Sequence, residues 1–166
     1  SIQNEMDAAI KTSIQNTSFI GGNPVREFET AFAGFIGLKH VIGCGNGTDS
    51  IEILLQAYGI GKGHEVIVPA ASWISTSEAV SARGATPVFV DVEEDYFNIN
   101  PALIEAAITA NTKAIIPVHL YGHPADMPAI MAIAKKYNLI VIEDCAQSHA
   151  SAIHEKLAGT FGHAAS

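Results

Sequence analysis

The chain has 166 residues, a length that favours a single domain with one substantial core. Apolar residues make up 48% and charged residues only 16%, so much surface must be covered, some of it in a subunit interface. The net charge of −8 comes from scattered acids, and the lack of a basic patch with interleaved aromatics argues against a nucleic-acid partner. Residues 3–16 place Ile10 and Ile14 at helical spacing. Gly21-Gly22-Asn23-Pro24 breaks the chain, and Pro24 suits the first position of a helix capped by Asn23. That helix carries Val25, Phe28, Phe32, Phe35 and Ile36 on one face, and Gly37 ends it. Residues 40–42 read as a short strand, and a glycine loop leads into a helix over about 49–58. A strand over 65–68 and a helix over about 73–83 follow. Next come a strand over 86–90 and a connection to Pro101, which opens a helix to about 110. A strand over 113–118 precedes a helix led by Pro124 and running to about 137. The last strong strand is 139–142, an unbroken Leu-Ile-Val-Ile run of the kind buried on both faces. Strands alternating with helices imply an α/β fold with a parallel sheet and right-handed crossovers. The tail 150–166 is rich in Ala and Gly and weakly patterned. A parallel sheet that stopped there would leave an exposed edge, so the chain reads as part of a larger domain.

No apolar run reaches the roughly 18 residues of a membrane span, so no membrane partner is expected. The first residues lack the charged start and apolar run of a signal peptide. Neither Cys44 nor Cys145 lies in a CxxC, so the expectation is two reduced, buried thiols of a cytoplasmic protein, with no disulfide and no zinc.

Three strand ends carry candidate chemistry. In the first, Gly43-Cys44-Gly45-Asn46-Gly47-Thr48-Asp49-Ser50 leads into a helix. Its glycines allow close backbone approach, the first helical amides point outward, and Thr48 and Ser50 add hydroxyls, with Asp49 able to cap. The loop reads either as a phosphate cradle or as a tight turn with a good cap. A dinucleotide or methyl-donor site would need an acid ending the next strand, but Val66-Ile67-Val68 runs into Pro69-Ala70-Ala71, and Glu65 stands at the wrong end.

At the second strand end Trp73 follows Pro69-Ala70-Ala71-Ser72 on the same rim. Its indole either stacks on a planar ligand or packs the helix start against the core. The third strand ends in Glu143-Asp144, with Gln147 three residues on. Acids there need hydrogen bonds or a positive partner, and only Lys135, Lys136 and Lys156 lie near in sequence, so a cationic ligand is indicated. An Asp facing a pyridine nitrogen keeps it protonated and makes the ring an electron sink, while Gln147 suits a ring hydroxyl; the alternative is that Asp144 caps a turn. Seven histidines raise metal sets such as His119 with His123, or Asp144 with His149 and His154, but the spacing fits no single helix face and no metal is expected. Phosphate cradle, stacking aromatic and pyridinium acid together describe pyridoxal 5'-phosphate.

With these motifs in place, the sequence resembles the DegT/DnrJ/EryC1/StrS family of sugar aminotransferases. The stretches that carry the resemblance begin with Gly21-Gly22-Asn23-Pro24-Val25, Phe28-Glu29 and Gly45-Asn46-Gly47-Thr48-Asp49-Ser50. They continue through Val66-Ile67-Val68-Pro69, Trp73-Ile74-Ser75-Thr76 and Pro87-Val88-Phe89-Val90-Asp91-Val92. Pro117-Val118-His119-Leu120-Tyr121-Gly122 and Ile142-Glu143-Asp144-Cys145-Ala146-Gln147-Ser148-His149 complete them. The resemblance implies a three-layer α/β sandwich with a mostly parallel sheet, part of the large domain of the fold-type I, aspartate aminotransferase-like enzymes. It implies that Gly47, Thr48 and Asp49 hold the cofactor phosphate, Trp73 stacks on the ring, Asp144 pairs with the ring nitrogen as the catalytic residue that keeps the ring cationic, and Gln147 bonds the ring hydroxyl. It further implies transfer of an amino group from an amino acid, commonly glutamate, to a nucleotide-linked keto-sugar for polysaccharide biosynthesis, in a cytoplasmic homodimer. Ala150-Ser151 departs from the family's usual Gly-Ala at the start of a hairpin. The Schiff-base lysine belongs to a Ser-Phe-x-x-x-Lys-like stretch in which none of the chain's lysines stands. Residues 1–166 are therefore expected to be the N-terminal part of the cofactor-binding large domain, without the rest of that domain or the small C-terminal domain, and inactive alone. Two alternatives remain at this stage: a same-family sugar dehydratase with His in place of that Lys, and a truncated, non-catalytic homologue acting as a binding module.

Overall fold

The computed structural model describes residues 1–166, in two compact units, Ser1–Gly43 and Cys44–Ser166. The first unit holds two helices, α1 (Gln3–Gln15) and α2 (Asn23–Ile36). α2 ends at Gly37, whose φ of 71° supplies the left-handed cap that a side chain would disfavour. Asn23 is not the cap. It is the first helical residue, follows Gly22, and its side-chain oxygen accepts from Arg26. Phe28, Phe32 and Phe35 run along α2 with centroids 5.6 and 6.1 Å apart, and Phe28 and Phe35 are exposed. The expected strand over 40–42 does not form: the segment pairs with no neighbour, and without a ladder an apolar run is not a strand.

The second unit opens with α3 (Gly47–Ala57). Then come β1 (Glu65–Pro69), α4 (Ser75–Ala82), β2 (Thr86–Val90), α5 (Pro101–Ile104), β3 (Thr112–Ile115), α6 (Met127–Tyr137) and β4 (Ile140–Glu143). It closes with a small antiparallel hairpin, β5 (Ala152–Ile153) and β6 (Lys156–Leu157), and a last strand, β7 (Ala164–Ala165). The main sheet is five-stranded and parallel, in the order β2-β1-β3-β4-β7. Strand alternation divides the core in two. Val66, Val68, Ala114, Ile116 and Ile142 pack with Ile51 and Leu55 of α3 and Ala79 and Val80 of α4. Ile67, Ile115 and Val141 pack with Met127, Ile130 and Ala134 of α6 and Ile104 of α5. The unit is thus a three-layer α/β sandwich.

Two helices differ from the sequence expectation. α5 stops at Ile104, and after a 3₁₀ turn over Glu105–Ala107 the chain is extended at Ile108. There the Thr109 and Thr112 hydroxyls both bond Glu65, and the Thr109 amide donates to Thr112 Oγ1 at 2.9 Å, so side chains compete with continued helix. α6 starts at Met127 and not at Pro124, because Asp126 caps it through the Ala129 amide at 3.1 Å. The tail, weakly patterned in sequence, adds a strand: β7 pairs with β4 (Ile142 with Ala164, Glu143 with Ala165). No helix is long and apolar enough to cross a membrane.

Candidate functional site

At the start of α3, Asn46 is extended and its side-chain oxygen accepts from the Asp49 amide at 2.9 Å, while its own amide donates to Asp49 Oδ2 at 3.0 Å. Asn46, not Asp49, is therefore the cap. Gly45 leaves the room this pair needs, since a Cβ there would stand 2.7 Å from Asp49 Oδ2. Gly47 and Thr48 occupy the first two helical positions, whose amides have no carbonyl partner within the helix. The Thr48 hydroxyl donates to Ser75 Oγ at 2.9 Å, which leaves Ser75's own hydroxyl hydrogen free. Ser166 Oγ donates to the Gly47 carbonyl at 3.2 Å. Free amides at a helix start, ringed by hydroxyls, suit an anion.

Trp73 lies between β1 and α4, where its carbonyl accepts from the Thr76 amide at 3.3 Å. Its side chain is 74% exposed, so it does not pack the helix start against the core. Three residues on, Thr76 is buried in the first turn of α4 and donates its hydroxyl to Asp144 Oδ2 at 3.0 Å.

Asp144 follows the last residue of β4 and is only 7% exposed. Its backbone is bound on both sides: its amide donates to the Pro117 carbonyl at 2.9 Å, and its carbonyl accepts from the His119 amide at 3.0 Å. Oδ1 accepts from the Ala146 amide at 3.3 Å, so the turn-capping role is present, but it occupies only one lone pair. Gln147 Oε1 accepts from the Tyr121 amide at 2.7 Å. That bond fixes the side-chain amide with Nε2 left to donate elsewhere. Tyr121 makes it from a left-handed backbone (φ 53°), a costly conformation for a bulky residue.

Glu143, directly before Asp144, is fully buried and needs no cationic ligand. Oε2 accepts from His119 Nε2 at 3.0 Å and from the Gly159 amide at 2.9 Å; Oε1 accepts from the amides of Phe161 at 2.7 Å and Gly162 at 2.6 Å. His119 Nδ1 accepts from the Ala125 amide at 3.0 Å, so the ring proton sits on Nε2 and points at the carboxylate. Burial alone would raise the Glu143 pKa, but the His119 bond and the Gly162 and Gly159 amides outweigh it and hold it below the ordinary range. Ligand atoms of His119, Glu143 and Cys145 lie within 4.8 Å of one another, yet both ring nitrogens of His119 are already engaged. His123 instead stacks on Tyr96 at 4.4 Å. The thiols also differ from expectation. Cys44 is exposed, and only Cys145 is half-buried, its pKa pushed up to about 12 by burial and by the Glu143 and Asp144 charges.

Sequence reading missed Ser75, Thr76, and the partnership of Glu143 with His119. For Thr76 a signal existed: with Ala79 and Val80 it sits at i, i+3 and i+4, the core face of the helix.

Residues 1–166 match the DegT/DnrJ/EryC1/StrS aminotransferase family. The chain belongs to that family. It is 51% identical over 161 residues to a UDP-N-acetyl-3-dehydro-alpha-D-glucosamine 3-aminotransferase of Acidithiobacillus ferrooxidans, covering 97% of this chain and 44% of the relative. Its fold matches the crystal structure of a DegT/DnrJ/EryC1/StrS aminotransferase from Brucella abortus with a TM-score of 0.96 at 42% identity, covering 99% of this chain and 46% of the other. It also matches NtdA from Bacillus subtilis, solved with bound cofactor PMP, with a TM-score of 0.86 at 40% identity, over 94% of this chain and 37% of that one. The family chain thus spans less than half the length of each of these proteins.

Proposed function

We propose that the protein carrying this chain is a pyridoxal-phosphate-dependent aminotransferase that moves an amino group from an amino acid, glutamate as the expected donor, to a nucleotide-linked keto-sugar. The observation that carries this reading is the buried Asp144 carboxylate, held from two sides yet with lone pairs left over, linked through adjacent residues of α4 to the anion cradle of α3. The donor set fits the cofactor: free amides and hydroxyls for a phosphate, an acceptor-only acid for a protonated ring nitrogen, and an amide donor for a ring hydroxyl.

When bound, pyridoxal phosphate supplies a cationic ring that takes up the electron pair released at the amino-bearing carbon. The chain's own residues bind and orient it. Gly47 and Thr48 offer amides to the phosphate, Ser75 adds a hydroxyl, and Asp49 braces the cradle through Asn46. Asp144 holds the proton on the ring nitrogen, Gln147 Nε2 donates to the ring hydroxyl, and the exposed Trp73 indole covers the ring face. The linking lysine is assigned to the parent protein outside these residues, since none of Lys11, Lys39, Lys62, Lys113, Lys135, Lys136 and Lys156 stands in the Ser-Phe-x-x-x-Lys-like stretch that the resemblance implies. Exposed Trp73, Ile74 and Tyr121 support a second copy covering this rim in a homodimer. Free cysteines fit a reducing, cytoplasmic setting.

The test uses the full-length protein. Adding pyridoxal phosphate should produce an absorbance band that borohydride abolishes while leaving the cofactor covalently attached to the protein. Glutamate with a UDP-linked keto-sugar should then yield 2-oxoglutarate and an amino sugar. A protein that binds no pyridoxal phosphate, or that dehydrates the sugar without consuming glutamate, sinks the proposal.

A further inference from the structure

We propose that Thr76 is a positioning residue, and that a one-way hydrogen-bond chain from Ser72 through Thr76 to Asp144 sets the orientation of the cofactor-facing carboxylate; this rests on the pyridoxal-phosphate reading above. Thr76 is 2% exposed and shares its helix face with the core residues Ala79 and Val80. By shape alone valine would serve there, so the hydroxyl is the informative atom. Oγ1 lies 3.0 Å from Asp144 Oδ2 and 3.3 Å from Ser72 Oγ. An ionised carboxylate only accepts, so the single Thr76 proton goes to Asp144, and Ser72 must then donate to Thr76. The direction of the chain follows from donor counting.

Asp144 is thereby held by two different elements. Oδ2 is tied to α4 and Oδ1 to the Ala146 amide in its own turn. Rotation about the carboxylate is fixed from both sides, and the remaining lone pairs have a set direction. The neighbouring residue, Ser75, receives the Thr48 hydroxyl at 2.9 Å. Two successive residues of α4 therefore link the anion cradle to the acid, and the first turn of α4 sets the spacing between the two ends of the bound group.

The test measures equilibrium binding of pyridoxal phosphate and apo-protein melting in the full-length protein. Thr76→Val should weaken binding about fivefold, the effect of one hydrogen bond. Thr76→Ser should restore affinity to near that of the unaltered protein, and Thr76→Val added to Asp144→Asn should weaken binding no further. If Thr76→Val does not fold, Ser72→Ala replaces it, with a loss of about twofold expected. Unchanged affinity in these variants, with a lowered apo melting temperature, would make Thr76 only a satisfied core hydroxyl and overturn the inference. If the unaltered protein binds no pyridoxal phosphate, the functional reading falls, and this inference with it.

Discussion

Glu143 and Asp144 are adjacent acids at one strand end, and the structure treats them oppositely. Strand alternation sends Val141 to the α6 side of the sheet and Ile142 to the α3–α4 side. The next two residues continue that rhythm. Glu143 meets His119 and the amides of the 159–162 loop, while Asp144 meets Thr76 of α4. Four donors saturate the first carboxylate, and two leave the second open. A fully satisfied buried acid holds a fold together; one with spare lone pairs is equipped to meet a ligand.

The comparison breaks most clearly on the Glu143 side. Glu143→Ala would orphan the buried His119 ring proton and three part-buried amides, and should cost about 3–5 kcal/mol, read from the urea midpoint. The pH dependence has a definite sign. The folded pKa of Glu143 lies below its unfolded value, so its stabilisation is complete above the unfolded pKa of roughly 4.3 and is lost as pH falls through the folded value. Denaturation from pH 7 to pH 3 should show that loss in the unaltered protein, and Glu143→Gln should flatten it. An equally steep fall in Glu143→Gln would assign the acid sensitivity to another group.

Asp144→Asn should do the reverse. The amide oxygen can accept from Ala146 while Nδ2 donates to Thr76, whose hydroxyl then turns to Ser72, so unfolding should shift by less than about 1 kcal/mol. Transamination by the full-length protein should fall roughly 10²–10³-fold, as when a preorganised electrostatic partner is lost. Equal losses of stability and activity would erase the distinction between the two acids.

How much of this was legible in the sequence depends on whether a residue's partner is local. The parallel sheet from 65 to 142 could be read because each strand is an apolar run and each helix returns with its own pattern. The Glu143-Asp144 pair read as one feature in search of one cation, because a sequence shows that two acids are adjacent but not which layer each faces. The donors to Glu143 come from residues 159–162 and from His119, far along the chain and mostly through backbone amides that carry no side-chain signature. For the same reason Ala164–Ala165 was invisible as a strand: alanine has little strand preference, and its ladder with β4 comes from the neighbouring backbone. Residues 40–42 fail in the opposite way, with strand-like composition and no partner.

Gly162 tests how closely the 159–162 loop must approach the strand. A Cβ there would stand 2.8 Å from the Val141 carbonyl oxygen and 3.3 Å from Glu143 Oε1. Gly162→Ala should therefore push the loop off β4 and cost about 1–3 kcal/mol, with the pH dependence of Glu143 weakened in parallel. Melting unchanged by the alanine would mean the loop has slack, and that Glu143 organises less of the fold than its bonds indicate.

The smallest expected effect lies at the cradle. Asn46→Ala removes the cap of α3 and frees Asp49 from both of its bonds, so stability should fall by about 1 kcal/mol. The accompanying readout is phosphate affinity. Asp49 would then be a loose carboxylate beside the free amides of Gly47 and Thr48, where a negative charge competes with an anion. Binding of pyridoxal phosphate to the full-length protein should weaken by more than the cap loss alone predicts, and more at low salt than at high salt. A salt-independent loss would mean that Asn46 acts only as a cap, and that the acid in this loop needs no restraint to share it with a phosphate.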